Sequence, residues 1–241
     1  MMQKNLVIFS LALLLFAGFI SCKKEKTSDT GSNTEISTQS DDQSIFSAEV
    51  EAATNDVNVV LEAATLYSAR KMGSDTSVCG AEIAWDLNSN PQVITITYKG
   101  SVCGNRKRSG SVTVSIPKGT QWKNAGAAAT VTYNNLKITR VWDQKSITIN
   151  GSQTYTNVSG GLLIQLSSKQ HIIHTIASDG LSITFDNGTQ RVWKVAKQRD
   201  FTYDNGIVLS VSGTHIENNI ENIAEWGTDR LGLAFTTATI E

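Results

Sequence analysis

Gly110-Ser111-Val112-Thr113-Val114-Ser115-Ile116 decides the fold. Branched apolar residues alternate with hydroxyl residues, so one set points to a core and the other to water, the period of a half-buried antiparallel strand. The same period returns at Leu162/Ile164/Leu166, Leu181/Ile183/Phe185 and Ile207/Leu209/Val211. From Val131 to Trp142 the phase slips: Val131 and Tyr133 share one parity, Leu136, Ile138 and Trp142 the other. A bulge or tight turn at Asn134-Asn135 accounts for the slip. Turn signals punctuate the rest at Asn150-Gly151, Ser159-Gly160-Gly161, Asp179-Gly180, Asn187-Gly188 and Asn205-Gly206. About ten to twelve short strands at this spacing predict a mainly β domain, a large antiparallel sheet built as a sandwich or a meander.

Upstream the period changes. Phe46, Val50, Ala53, Val57, Val60, Leu61, Ala64 and Tyr67 recur at steps of three and four, which predicts one amphipathic helix over 44–72, ended by Gly73 and packed on the sheet. Residues 23–43, KKEKTSDTGSNTEISTQSDDQ, hold one isoleucine and no aromatic residue, a composition expected to form a disordered tether. Residues 1–22 read as a lipoprotein signal peptide: Lys4, an apolar run from Leu6 to Ile20 that is shorter than the ~20 residues of a spanning helix, then Ser21-Cys22. Lipidation of Cys22 is the expectation, and two or more acyl chains anchor a protein stably. Lys23 follows the cysteine where an aspartate would signal retention in the inner membrane, so the outer membrane is the expected location, with neither side preferred.

The two cysteines left, Cys79 and Cys103, flank Ala81–Leu87 and Val93–Tyr98, two strand-like runs joined by Asn88-Ser89-Asn90-Pro91. In a hairpin centred near Pro91, residues whose numbers sum to 182 face each other, as 79 and 103 do. Cross-strand neighbours lie within disulfide reach, and an exported chain meets an oxidising compartment, so a structural bridge is expected.

An internal echo runs through the β region. Gly110-Ser-Val-Thr-Val-Ser-Ile-Pro-Lys-Gly119-Thr120-Gln121-Trp122 is echoed by Gly180-Leu-Ser-Ile-Thr-Phe-Asp-Asn-Gly188-Thr189-Gln190 and Trp193, suggesting a duplication with units 110–178 and 180–241. Cys79, Cys103, Arg106-Lys107-Arg108-Ser109-Gly110, Gly151-Ser152 and Asp186-Asn187-Gly188-Thr189 together resemble uncharacterised all-β lipoproteins of Bacteroidota, over roughly residues 75–240. The resemblance implies an all-β envelope lipoprotein with no assigned activity. Members of that family continue into a further hairpin with its own cysteines, whereas this sequence stops at Thr239-Ile240-Glu241, so a C-terminus shortened relative to the family is the expectation.

Chemistry is sparse. Asp86-Leu-Asn88-Ser-Asn90 opens like a calcium loop, but Pro91 and Thr97 stand where the loop needs glycine and glutamate, so the segment reads as a turn. His171 and His174 lie three apart in a strand, on opposite faces, and cannot chelate together. With His215 the only other histidine and no nucleophile elbow, no metal, cofactor or catalytic residue is assigned. Asp143, Asp186, Asp200, Asp204 and Glu217 could supply a carboxylate pair for glycan hydrolysis. Trp122 and Trp193 are the candidate ligand-binding residues, since an indole face suits the apolar face of a sugar. A formal net charge of -1 gives no reason to expect nucleic acid. The expected partners are the membrane, through the anchor, and a glycan or envelope protein. The leading reading is a non-enzymatic binding module, with a carboxylate-based hydrolase and a purely structural lipoprotein as alternatives.

Overall fold

The computed structural model describes residues 30–67 and 77–239, with side chains from Ile36 to Leu66 in the first stretch. The chain divides into a unit of residues 1–37 and a unit of residues 38–241. The signal peptide, Cys22 and the proposed helix end at Gly73 lie outside the described residues, as do tether residues 23–29. Helix α1 spans Thr30–Tyr67. Eleven strands follow: β1 Ala81–Asp86, β2 Gln92–Cys103, β3 Arg106–Ile116, β4 Ala127–Arg140, β5 Ser146–Asn157, β6 His171–Phe185, β7 Gln190–Tyr203, β8 Ile207–Gly213, β9 His215–Glu217, β10 Ile220–Thr228 and β11 Ala234–Ala238. A 3₁₀ turn at Leu163–Gln165 leads into the one-turn helix α2, Leu166–Lys169.

All eleven strands join one antiparallel sheet. Strands β1 to β7 run as a meander, β7 then pairs with β10 and β10 with β11, while β8 pairs with β7 and β9 with β10. The expected meander is therefore present, with α1 as its second layer. Ile94, Ile96, Val112, Val114, Val131, Tyr133, Ile147 and Ile149 project from one face of the sheet, and Phe46, Val50, Ala53, Val57, Val60 and Leu61 project from α1 into the same core. Burial of each large aliphatic or aromatic side chain there contributes roughly 1.5–3 kcal/mol. Among the described residues no helix is long and apolar enough to cross a membrane.

Several boundaries differ from the sequence reading, each for a physical reason. Residues 30–43 are not a disordered tether: α1 begins at Thr30, and its polar residues Asp41, Asp42 and Gln43 find partners on β4, the β10–β11 turn and β10. Leu162–Leu166 is the 3₁₀ turn and the start of α2, and its alternation reflects Leu162 and Leu166 pointing inward while Ile164 is exposed. Asn150-Gly151 and Asp179-Gly180 are bulges inside β5 and β6, where both registers shift. The junction of the proposed duplication thus falls in the middle of one strand.

These bulges are aligned. Gly110 in β3 has φ +91°, and a Cβ there would sit 2.1 Å from the carbonyl oxygen of Asn135, the bulge residue of β4. Gly151 in β5 lies against the Gly180 carbonyl of β6. A row of bulges therefore crosses β3 to β6, and each bulge bends its strand and increases the local twist.

Cys79 and Cys103 are bonded, with Cα atoms 6.0 Å apart. The register beside them differs from expectation: Ala81 faces Tyr98 and Asp86 faces Val93, numbers summing to 179. Gly80, with φ +71°, and the β2 bulge between Lys99 and Val102 absorb the difference and bring the sulfurs together.

Candidate functional site

Helix α1 carries its acids on the face that meets the sheet, and the sheet answers with cations. Asp41 pairs with Arg140 and with Lys145 at 2.8 Å. Asp42, 1% exposed, accepts two bonds from the Arg230 guanidinium, which also reaches Asp186 at 2.7 Å. Glu49 faces Arg106 and Arg108; Asp56 accepts from the Tyr98 hydroxyl at 2.7 Å and from Arg108 at 2.9 Å. Arg199 donates to Asn55 and lies 2.6 Å from the Glu51 carboxylate. Glu225 of β10 gathers Lys197, Gln43 and Ser47.

Burial and pairing pull these groups in opposite directions. Desolvation raises the carboxyls of Glu49, Asp56 and Glu62 above the ordinary range despite their arginine and backbone partners. Asp41, less buried, is lowered by its hydrogen bond from Lys145. Deeper in, the Thr54 and Tyr155 hydroxyls meet at 2.7 Å and those of Tyr155 and Tyr133 at 3.0 Å, with Tyr133 donating to Gln153. Burial pushes the Tyr155 phenol up to about 12 and Tyr133 well above the ordinary value. His174 packs edge-on between Trp122 and Phe201, and burial followed by the Arg199 charge pushes it down to about 4. This network fastens the helix to the sheet; its acids are spent on structural pairs.

The concave feature lies where the C-terminal part of α1 leaves the sheet. A partly open cavity of about 360 Å³ is walled by Leu61, Ala64 and Thr65 of α1, Leu87 and Gln92 of the β1–β2 hairpin, and Ile116, Thr120, Gln121 and Trp122 around the β3–β4 loop. Its wall is apolar with amide and hydroxyl groups and, among the described residues, contains no acid, histidine or cysteine. Such a lining can hold an amphipathic group and orient it by hydrogen bonds, and it offers no group to exchange a proton near neutral pH.

Trp122 and Trp193, the candidate ligand-binding tryptophans for which core packing is the commoner alternative, are 1% and 0% exposed. Trp193 packs against Phe46, Phe185 and Phe235 and donates its indole N–H to the Thr228 carbonyl. Both side chains lie on the core side, and Trp122 also contributes to the cavity wall. The exposed indole is Trp142, at 71%, in the β4–β5 turn under the Arg140 guanidinium. Its phase on β4 had suggested a core position; the strand ends at Arg140, one turn too soon.

The candidate hydrolytic acids are dispersed. Asp143 is tied to Arg140, Asp186 to Arg230, and Asp200 lies 3.3 Å from the His171 imidazole, while Asp204 and Glu217 are exposed on separate elements. His171 is exposed and His174 buried, on opposite faces as expected. Asp86 accepts from the Ser89 amide within a hairpin turn, and no group of three or more possible metal ligands occurs among the described residues. No family model, curated protein or solved structure matches this chain.

Proposed function

We propose that the chain is a lipid-anchored protein of the cell envelope, held by Cys22 in the outer membrane, that binds a glycan or an envelope protein without transforming it. The anchor rests on the Leu6–Ile20 run and the Ser21-Cys22 junction. Binding without catalysis is supported by one observation above the others: the cavity beside α1 has an apolar wall edged by Gln92, Thr120 and Gln121, and no carboxylate among the described residues lines it. A carboxylate hydrolase requires two acids about 5–10 Å apart across a cleft. The acids with raised pKa values are instead engaged under the helix, against Arg106, Arg108, Tyr98 and the Leu163 amide. The structural alternative draws on β8, an uncharged strand that pairs on one side only and leaves Ile207 and Val208 exposed.

Glycan-array binding and a pull-down from envelope extract, run with the wild-type protein, Ala64→Phe and Gln121→Ala, test the proposal. Saturable binding to one class of ligand, abolished by the ring that fills the cavity and weakened by loss of the amide, is the expected result. Binding that ignores both substitutions, or turnover of a bound glycan, would refute the reading.

A further inference from the structure

Antiparallel order puts the β2–β3, β4–β5, β6–β7 and β10–β11 turns on one rim of the sheet. The turns are linked: the Val141 amide donates to the Asn105 carbonyl at 2.9 Å, and Arg230 bridges to Asp186. The same rim receives the N-terminal part of α1 in this unit, because Asp41 is fixed by Arg140 and Lys145 and Asp42 by Arg230. The chain therefore enters the 38–241 unit at this rim, 16 residues after Cys22.

What the rim shows to solvent is unusual for turns. Trp142 is 71% exposed, Leu231 60%, Leu233 57% and Val102 55%, with the ammonium groups of Lys107 and Lys145 nearby in sequence. The Arg140 guanidinium lies 4.7 Å from the centre of the Trp142 ring and keeps its charge beside the indole. An exposed indole among apolar side chains suits the lipid headgroup layer, where the ring settles at the boundary. Arg140 and Lys145 stay paired with Asp41 and Asp143, and the exposed Lys107 is the cation placed to reach a phosphate. The opposite rim also exposes Ile164 and Ile207, but among the described residues it has no exposed tryptophan, and it adjoins the far end of α1.

We infer that the rim carrying Trp142, Leu231, Leu233 and Val102 is the surface that this domain lays against the lipid bilayer. The anchor brings the domain to the membrane, and this rim sets its orientation, leaving the cavity at the other end of α1 turned away from the lipid. The inference rests on the proposed anchorage at Cys22.

The test uses the full processed protein reconstituted in vesicles of phosphatidylcholine and phosphatidylglycerol, with and without bromine on the acyl chains. Intact mass reports acylation of Cys22, and flotation reports membrane association. Tryptophan emission of the wild type should lose intensity in the brominated vesicles, and that loss should vanish in Trp142→Phe, a change at an exposed turn. Acylated protein that floats with vesicles yet shows no quenching dependent on Trp142 would overturn the orientation while leaving the anchor standing. Absence of acyl mass on Cys22 would remove the anchor, and the inference with it.

Discussion

His174 illustrates how one residue can set a pH response. Its imidazole is 3% exposed, wedged between Trp122 and Phe201, with Nε2 lacking a hydrogen-bond partner among the described residues. Burial lowers its folded value to about 4 from 6.5. A group with a depressed folded value binds fewer protons in the folded state, so its contribution is present above pH 6.5 and is lost as pH falls toward 4. Over that window the loss amounts to about 3 kcal/mol. Glu49, raised by burial, works the other way: its contribution is present below the ordinary carboxyl value and lost as pH rises. His174→Phe keeps a ring in the pocket and removes the titration. Urea unfolding at pH 7 and pH 4.5 should therefore show the variant gaining about 2–3 kcal/mol on the wild type at the lower pH; parallel shifts in both proteins would contradict this. The two histidines were legible because a strand alternates faces, whereas the fate of Trp122 and Trp193 was not. Core packing is the commoner fate of a tryptophan in a β-domain, but the sequence alone does not decide for Trp122 in the β3–β4 loop or Trp193 inside β7; the docked helix, through Phe46 against Trp193, helps decide it.

Among the elements, alternation marked the strands at Val112–Ile116, Leu181–Phe185 and Ile207–Val211 but misled at Leu162–Leu166, and the Gly pairs marked turns at Asn187-Gly188 and Asn205-Gly206 but bulges at Asn150-Gly151 and Asp179-Gly180. Asn150-Gly151 and Asp179-Gly180 carry the chemistry of hairpin turns, because a positive φ serves a turn and a bulge alike. Neighbouring strands make the difference: β5 and β6 continue through these points because β4 and β7 pair on either side of them. The first turns of α1 were illegible for a similar reason, since Asp41 and Asp42 gain their order from Arg140 and Arg230, far along the sequence. If the bulge row shapes the sheet, its glycines should differ sharply from glycines in open turns. In Gly110→Ala the new methyl would meet the Asn135 carbonyl at 2.1 Å, a clash with backbone that has nowhere to go, and should cost about 3 kcal/mol or more. Gly188→Ala has a similar positive φ, +81°, but nothing within 4 Å, and should cost only about 1 kcal/mol. Thermal unfolding of the two variants side by side checks this, and equal losses would mean that the row is incidental.

At the scale of the whole molecule, the sheet and the helix are each incomplete alone. Strand β1 at one end of the sheet's path pairs only with β2, and β11 at the other only with β10, so the sheet remains open and its core face is covered by α1. Phe46, Val57 and Val60 are fully buried there, and the acids around them meet arginines from β3, β4 and β7 and from the β10–β11 turn. Buried ion pairs contribute little net stability, but breaking one by removing a partner costs about 3–5 kcal/mol, so they select this docking over other apolar contacts. A chain beginning at residue 77 should therefore expose Ile94, Val112, Val131 and Ile149 together and aggregate on refolding. A synthetic peptide of residues 38–67, added in excess during refolding, should restore soluble protein with tryptophan emission shifted to the blue as Trp193 regains Phe46. The same peptide with Asp42→Asn and Glu49→Gln keeps every apolar contact but takes the Glu49 carboxylate from Arg106 and leaves Arg230 with Asp186 alone, and it should rescue poorly. Equal rescue by both peptides would show that apolar burial alone fixes the helix. A soluble, cooperatively folded fragment without any peptide would show that the sheet does not depend on the helix.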